Sequence, residues 1–266
     1  MGVVVVKCGG AVPAEAVCAD LAGLAGRAVL VHGGGPDIDR LARELGVPAR
    51  TLVSPSGVTS RHTDPAMLDA VTLALTGRVK PRLLRALAAA GVPAVGLTGL
   101  DGGLLLARRK PAQRAVRDGR TVIVRDDHSG RVTGVRPEAL RALLGAGFVP
   151  VVSPPATGED GAPVNVDADR AAAAVAGALG ADRLVLLTAA PGLLRDARDE
   201  ATFLDRCALP HEGPVPHAAT GGMHRKLVAA REALLAGVPR VSVCDGRVPR
   251  PVTAALAGAG TTLEIA

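Results

Sequence analysis

Short apolar runs recur along the chain, and each is followed by a longer segment in which apolar residues return every three or four positions. The runs at 3–7, 28–32, 94–97, 149–152, 184–187 and 241–244 contain almost no polar residue, which is the signature of strands buried on both faces. The periodic segments at 14–25, 37–45, 65–75, 81–90, 137–144, 168–179, 223–236 and 250–257 predict helices. Alternation of this kind predicts an α/β fold with a mainly parallel sheet and helices on both faces. Between 104 and 135 the rhythm changes. There "LLLARRK", "TVIV" and "RVTGV", separated by "RDGR" and "DDHSG", predict an antiparallel ribbon inserted into the frame. The Gly/Pro-rich stretch "SPPATGEDGAP" at 153–163 predicts a boundary between an N-terminal lobe (1–163) and a C-terminal lobe (164–266).

Composition narrows this picture. A chain of 266 residues, 48% hydrophobic, can bury a large core, but with 1% aromatic residues that core must be packed from Val, Leu and Ala. The net charge of +6 arises from 31 basic and 25 acidic residues that are interspersed, so it favours an acidic partner without marking a nucleic-acid surface. No aromatic-rich RNA-binding motif is present, and nucleic acid is not expected as a ligand. Cys8, Cys18, Cys207 and Cys244 form no CxxC pair and have no His at ligand spacing, which predicts reduced thiols and no metal centre. Met1 leads straight into the first strand, and no apolar run reaches the ~20 residues of a membrane span. A cytoplasmic protein with no membrane contact is the expectation.

Three glycine-rich turns stand at the carboxyl ends of predicted strands: "KCGG" (7–10), "VHGGGPDID" (31–39) and "LTGLDGG" (97–103). Open α/β sheets bind ligands at these ends, where glycine lets backbone amides approach an anion. None of the three matches GxxxxGK[ST] or GxGxxG. Any strand-to-helix turn also favours glycine, so one such loop alone decides nothing. Lys7 abuts Gly9 and Gly10; taken alone, a lysine at a strand end is ordinarily a snorkelling surface charge. A second element changes that balance, because "TGGMHRKL" puts Gly221 and Gly222 at a helix start and Lys226 one turn inside it.

In "VNVDAD", Asp167 and Asp169 open an alanine-rich helix. Two readings stand side by side: N-capping with a favourable dipole, worth ~1 kcal/mol, or an Asp169 that projects into a cleft and orients both lysines. Asn165 offers an amide to a substrate in the second reading. Arg61, before a predicted helix, is either a solvated loop residue or a bidentate carboxylate ligand. His32 reads as structural, and His62, His128, His211 and His217 have no partner at useful spacing.

Taken together and in order, "KCGG", "VHGGGP", "SGVTSRHTD", "GFVPVVSPPA", "VNVDAD", "TAAPGLL" and "TGGMHRKL" resemble the amino acid kinase family, in particular its acetylglutamate kinase branch. The resemblance runs from Val3 to Thr262. It implies a three-layer α/β/α sandwich with a mainly parallel sheet of about eight strands, an N-terminal lobe for the amino-acid substrate and a C-terminal lobe for ATP. By position, Lys7 and Lys226 correspond to lysines that neutralise the transferring phosphoryl group, and Asp169 to the aspartate that organises them. Gly9 and Gly10 correspond to phosphate-binding amides. Gly34, Gly35, Arg61 and Asn165 correspond to the substrate-binding set, while Thr188, Gly192, Leu193, Gly222 and Met223 correspond to the nucleotide site. ATP with Mg²⁺, few direct protein ligands to the metal, and a homodimer are further implications.

Two features set the chain apart within that branch. Asp167 stands where acetylglutamate kinases usually carry the second asparagine of "NVNAD". The segment "GLTGLDGGLLLARRKPAQRAV" (96–116) is similar to that of LysZ-type kinases, which phosphorylate aminoadipate or glutamate held through its amino group on a small acidic carrier protein, LysW. Arg108, Arg109, Lys110, Arg114 and Arg117 would suit such a partner, or they merely protect a ribbon edge from pairing. The alternatives are an acetylglutamate kinase acting on free N-acetyl-L-glutamate and a non-catalytic ligand-binding protein on the same fold.

Overall fold

The computed structural model describes residues 2–55, 57, 59–117, 120–216 and 221–266. From the N-terminus run β1 (Val4–Cys8), α1 (Ala14–Asp20), β2 (Ala28–His32), α2 (Gly35–Glu44), a short hairpin of β3 (Thr51–Val53) and β4 (Thr59–Arg61), α3 (Pro65–Leu73), α4 (Lys80–Ala89) and β5 (Ala94–Gly99). Then come β6 (Leu105–Arg109), β7 (Gln113–Arg117), β8 (Arg120–Val124), β9 (Gly130–Val135), α5 (Glu138–Gly145), β10 (Val149–Gly158) and β11 (Pro163–Val164). The C-terminal part holds α6 (Ala168–Leu179), β12 (Arg183–Thr188), β13 (Leu193–Leu194), β14 (Phe203–Leu204), β15 (Arg206–Leu209), α7 (Gly221–Leu235), β16 (Val241–Asp245), α8 (Pro251–Leu256) and β17 (Thr261–Ile265).

All six apolar runs lie in one eleven-stranded sheet, ordered β15-β17-β16-β12-β1-β2-β10-β6-β9, with β5 and β11 also paired to β10. Strands β1, β2, β5, β10, β12 and β16 are parallel to their neighbours among themselves; β17, β9 and β11 add antiparallel pairs. These short additions carry the sheet beyond the eight strands implied by the resemblance. Side chains alternate strictly between two cores. Val5, Val29, Leu184 and Val241 pack on α5, α6 and α7, whereas Val6, Leu30, Val185 and Cys244 pack on α1, α2, α3, α4 and α8. The result is the expected three-layer α/β/α sandwich. The period of two also decides where Lys7 points: it shares the face of Val5, so it emerges toward α6 and α7 at the carboxyl end of β1.

Several local expectations are corrected. The helix expected at 14–25 ends at Asp20 and continues as a 3₁₀ turn, Leu21–Leu24. The helices expected at 65–75 and 81–90 join through a π-helical turn at Ala74–Val79; Pro81 has no N–H for the preceding turn, and widening the helix there accommodates its ring. The ribbon at 104–135 divides in two. β6 and β9 extend the main sheet, while β7 and β8 join β3 and β4 in a separate four-stranded sheet. Finally, of the stretch 153–163 expected to form a lobe boundary, 153–158 is the largely buried second half of β10, so only the turn after it is loop. Among the described residues no helix is long and apolar enough to cross a membrane.

Candidate active site

The carboxyl ends of β1, β2 and β12 open into a cavity of about 770 Å³ lined by Lys7, Gly9, Gly10, Gly33, Gly34 and Gly35 on one side and by Asp167, Asp169, Gly222 and Lys226 on the other. Its size falls in the range of small-ligand sites. The two glycine loops interlock. A β-carbon on Gly10 would lie 2.8 Å from Pro36 Cδ and would push the loops apart, and one on Gly34 would lie 2.8 Å from Val79 Cγ2 and would collide with the π-helical turn. Gly35 begins α2, a β-carbon on it would meet nothing within 4 Å, and with Gly33 and Gly34 it brings the N-terminal end of that helix to the cavity wall.

The two readings of the Asp167–Asp169 pair resolve into one role each. Asp167 caps α6, its Oδ1 accepting from the amides of Asp169 at 2.9 Å and Arg170 at 3.1 Å. Freed from capping, Asp169 turns into the cavity and stands between the lysines. Lys7 Nζ is 2.8 Å from its Oδ1, and Lys226 Nζ is 3.3 Å from both its oxygens. Lys7 is 6% exposed, Asp169 4% and Lys226 7%, so all three are held in a low-dielectric environment where Coulomb interactions are strong. Arg225 Nε lies 3.3 Å from Asp167 Oδ2, which places three cations against two carboxylates.

That surplus appears in the titration of the groups. Against burial, which works the other way, the ammonium groups of Lys7 and Lys226 hold the Asp169 carboxyl below its usual range. Burial and the neighbouring Lys7 charge push Lys226 down, and Asp169 offsets this only in part. Lys7, which has the shorter contact to Asp169, moves up in spite of its burial. One carboxylate therefore satisfies one ammonium well and leaves the other short of counter-charge. An anion entering between the glycine loops would supply it.

The remaining predicted residues are distributed as follows. Thr188, Arg61 and Asn165 line the cavity. Arg61 is steered by Asp39 of α2, with Nη1 2.5 Å from Oδ1, and Asn165 Nδ2 donates to Thr63 Oγ1 at 3.1 Å. Gly192 and Leu193 are outside the cavity wall: the Leu193 amide donates to Thr261 Oγ1 at 2.8 Å and its side chain is in the core. Met223 packs partly buried against that same core. In the basic cluster, Arg108 pairs with Glu159 at 2.8 Å, and Arg109 donates to the carbonyls of Asp127 at 2.9 Å and Arg125 at 2.8 Å. Lys110 and Arg114 are exposed. The side chain of Arg117, and residues Ser56, Val58, Asp118, Gly119, His217 and Thr220, lie outside the described residues. Sequence reasoning missed Arg50, Ser129 and Arg225, which also line the cavity. Arg225 was signalled by its place beside Lys226; the other two carry no local mark. His62, expected to lack a partner, has its Nε2 3.0 Å from Asp126 Oδ1, across 64 positions of sequence.

His32 fits its structural reading. Its Nδ1 is 3.0 Å from the Gly33 carbonyl, and burial lowers its pKa from 6.5 to about 4. The depressed value means that the unfolded chain binds the proton first as pH falls. Stability contributed by neutral His32 is thus complete above the unfolded value and is lost progressively down to the folded one. Wild type is expected to lose about 2 kcal/mol more than His32→Asn between roughly pH 7 and pH 5, at about 1.36 kcal/mol per pKa unit; urea unfolding at the two pH values measures it. Equal losses would remove His32 from the acid response.

Comparison with known proteins agrees with this architecture. The model of the amino acid kinase family matches residues 2–245. A [LysW]-aminoadipate kinase of Deinococcus radiodurans is 42% identical over 99% of this chain and 92% of its own length. An acetylglutamate kinase of Methanopyrus kandleri is 41% identical over 92% of this chain and 94% of its own. The solved structure of N-acetylglutamate synthase from Neisseria gonorrhoeae, complexed with coenzyme A and N-acetyl-glutamate, superposes with a TM-score of 0.76 at 27% identity, covering 100% of this chain and 60% of that one. With nearly its whole length matched, and with the same layered architecture, the chain belongs to the amino acid kinase family.

Proposed function

We propose that the chain is an ATP-dependent kinase that phosphorylates the side-chain carboxylate of 2-aminoadipate or glutamate while the amino group of that substrate is held on a LysW-type carrier protein. One observation carries the chemistry: two buried lysines share a single aspartate between glycine loops, leaving positive charge in excess where phosphate would lie. The carrier-linked acceptor is supported by 42% identity to the Deinococcus radiodurans [LysW]-aminoadipate kinase. In the reaction, a carboxylate oxygen attacks the γ-phosphorus of ATP, the bond to the β–γ bridging oxygen breaks, and an acyl phosphate and ADP result. A carboxylate is a nucleophile at neutral pH without a base, so the barrier is repulsion between anions and the charge that develops in transfer.

Lys7 and Lys226 offset that charge, Asp169 keeps both ammoniums aimed, and the amides of Gly9 and Gly10 bind phosphate oxygens. Gly34, Gly35, Arg61 and Asn165 hold the acceptor. Mg²⁺, when bound with ATP, adds further neutralisation of the phosphates. The nearby carboxylates are engaged, Asp167 by the helix cap and Asp169 by the lysines, so phosphate oxygens and water would hold the ion. In this reading residues 1–163 form the acceptor lobe and 164–266 the ATP lobe, and α3, whose Leu73 is 53% exposed, contributes to a homodimer.

Lys110, Arg114 and Arg117 are assigned to the acidic carrier, since Arg108 and Arg109 are engaged within the chain. Charge reversal at Lys110 and Arg114 is expected to raise KM for the carrier-linked acceptor by about tenfold at low salt and to flatten its salt dependence, as loss of steering does. An unchanged KM would return these residues to the role of edge protection. A second reading, acetylglutamate kinase, rests on the 41% identity to the Methanopyrus kandleri enzyme. Comparing kcat/KM for carrier-linked aminoadipate, carrier-linked glutamate and free N-acetyl-L-glutamate separates them; preference for the free acid would favour the second.

A further inference from the structure

We infer that Asp127 is a positioning residue for the acceptor half of the cavity, setting Asn165 and Arg61 through Thr63 and Ser129 while its own side chain stays outside the cavity wall. The inference rests on the proposed assignment of Asn165 and Arg61 to acceptor binding.

Asp127 lies between β8 and β9 and is 1% exposed. Its carboxylate accepts from the Thr63 amide at 2.7 Å and the Ser129 amide at 3.3 Å, and also from the Ser129 hydroxyl and the Gln113 side-chain amide. Its backbone carbonyl accepts from Arg109 Nε at 2.9 Å. A carboxylate offers about four acceptor sites, so this one is saturated. The donors arrive from the end of β4, from β7, from the β8–β9 loop and from β6, which means that one residue ties the small sheet to the edge of the large one. The small sheet needs such a tie. Among the described residues its buried apolar cluster is Leu52, Ala115 and Val124, with Val122 partly buried against them, too little to fix its position by packing.

The second step reaches the cavity. Thr63 Oγ1 accepts from Asn165 Nδ2 at 3.1 Å and donates to the Arg61 carbonyl at 3.5 Å. The Thr63 carbonyl accepts from the His128 amide at 2.6 Å, the Asn165 amide donates to His128 at 2.9 Å, and the Asn165 carbonyl accepts from Gly130 at 2.9 Å. Asn165 is thus held at its side chain by Thr63, which bonds Asp127, at its amide by His128, which follows Asp127, and at its carbonyl by Gly130, which follows the Asp127-bound Ser129. Asn165, Ser129 and Arg61 all line the cavity, and Asp127 does not.

The isosteric change Asp127→Asn sets an N–H against the Gln113 or Ser129 donors, and a buried donor facing a donor breaks the network without changing its volume. Expected is a rise of roughly tenfold or more in KM for the acceptor substrate, as small misplacements of binding groups produce, with KM for ATP unchanged. Adding Gln113→Glu gives the new N–H an acceptor and should restore much of the acceptor KM. Hydrogen exchange followed by mass spectrometry should quicken in peptides covering 59–67 and 163–168 but not in β1 or α7. An unchanged acceptor KM with unchanged exchange overturns the inference, as does an equal rise in both Michaelis constants. If wild type phosphorylates neither acceptor, the proposed function fails, and exchange alone decides the role of Asp127: faster exchange in those two segments upholds it, and unchanged exchange overturns it.

Discussion

Lys7→Ala and Lys226→Ala are each expected to lower kcat by roughly 10²–10³, the usual cost of removing one preorganised charge stabiliser from a transition state. The fold should survive, because each lysine sits at the cavity wall and neither anchors a core. The two should differ in what accompanies the loss. Lys7 has the short 2.8 Å contact with Asp169, so its removal leaves Lys226 as sole partner of that carboxylate. Lys226 then gains the counter-charge it lacks in the wild type, where burial and Lys7 push its pKa down. Lys7→Ala should therefore raise the Lys226 pKa, whereas Lys226→Ala leaves an already raised Lys7 in place. Steady-state kinetics with circular dichroism checks the first claim. Near-wild-type turnover by either folded variant would remove that lysine from the mechanism.

Asp169→Asn is expected to cost about 3–5 kcal/mol of stability at neutral pH, because removing one partner of a buried ionic group strands the others. Here two ammoniums are stranded together. The signs are distinctive. Wild-type Asp169 has a depressed pKa, so its contribution is present above the unfolded carboxyl value and is lost as pH falls through the folded one. In the variant both lysines are destabilised as cations, and stability should rise with pH as they lose their protons in the folded state before the unfolded chain does. Saturating ATP should narrow the gap to wild type by supplying negative charge. Urea titrations across pH, with and without ATP, test this; a loss below about 1 kcal/mol, the value of an exposed pair, would mean that the triad is effectively solvated.

Much of the site was legible because it sits on regular elements. The carboxyl-end rule fixed the end of the sheet at which Lys7 and the glycine loops collect, whereas the face on which Lys7 emerges was not legible in the unbroken apolar run before it. The Asp-x-Asp opening of α6 was legible as a choice between a helix cap and an Asp169 aimed at the lysines, and the structure gives the cap to Asp167 and the lysine contacts to Asp169. What remained hidden depends on contacts between distant segments. Nothing near Thr63 announces a bond to Asp127, 64 positions on, or to Asn165, 102 positions on. Pro154 and Pro155 disguised the second half of β10, since proline ordinarily argues against a central strand. The short strands of the ribbon held no signal for which sheet each would join, so the engagement of Arg109 inside the chain was invisible.

Phosphoryl transfer to a carrier-held carboxylate is tested most directly by trapping the acyl phosphate. The protein is incubated with ATP, Mg²⁺ and aminoadipate-charged carrier in the presence of hydroxylamine, and the intact mass of the carrier is recorded. The expected result is conversion of the side-chain carboxylate to its hydroxamate, one per ADP released, and its absence with Lys7→Ala. A carrier that stays unmodified while free N-acetyl-L-glutamate is converted, or while neither acceptor reacts, would contradict phosphoryl transfer to a carrier-held carboxylate.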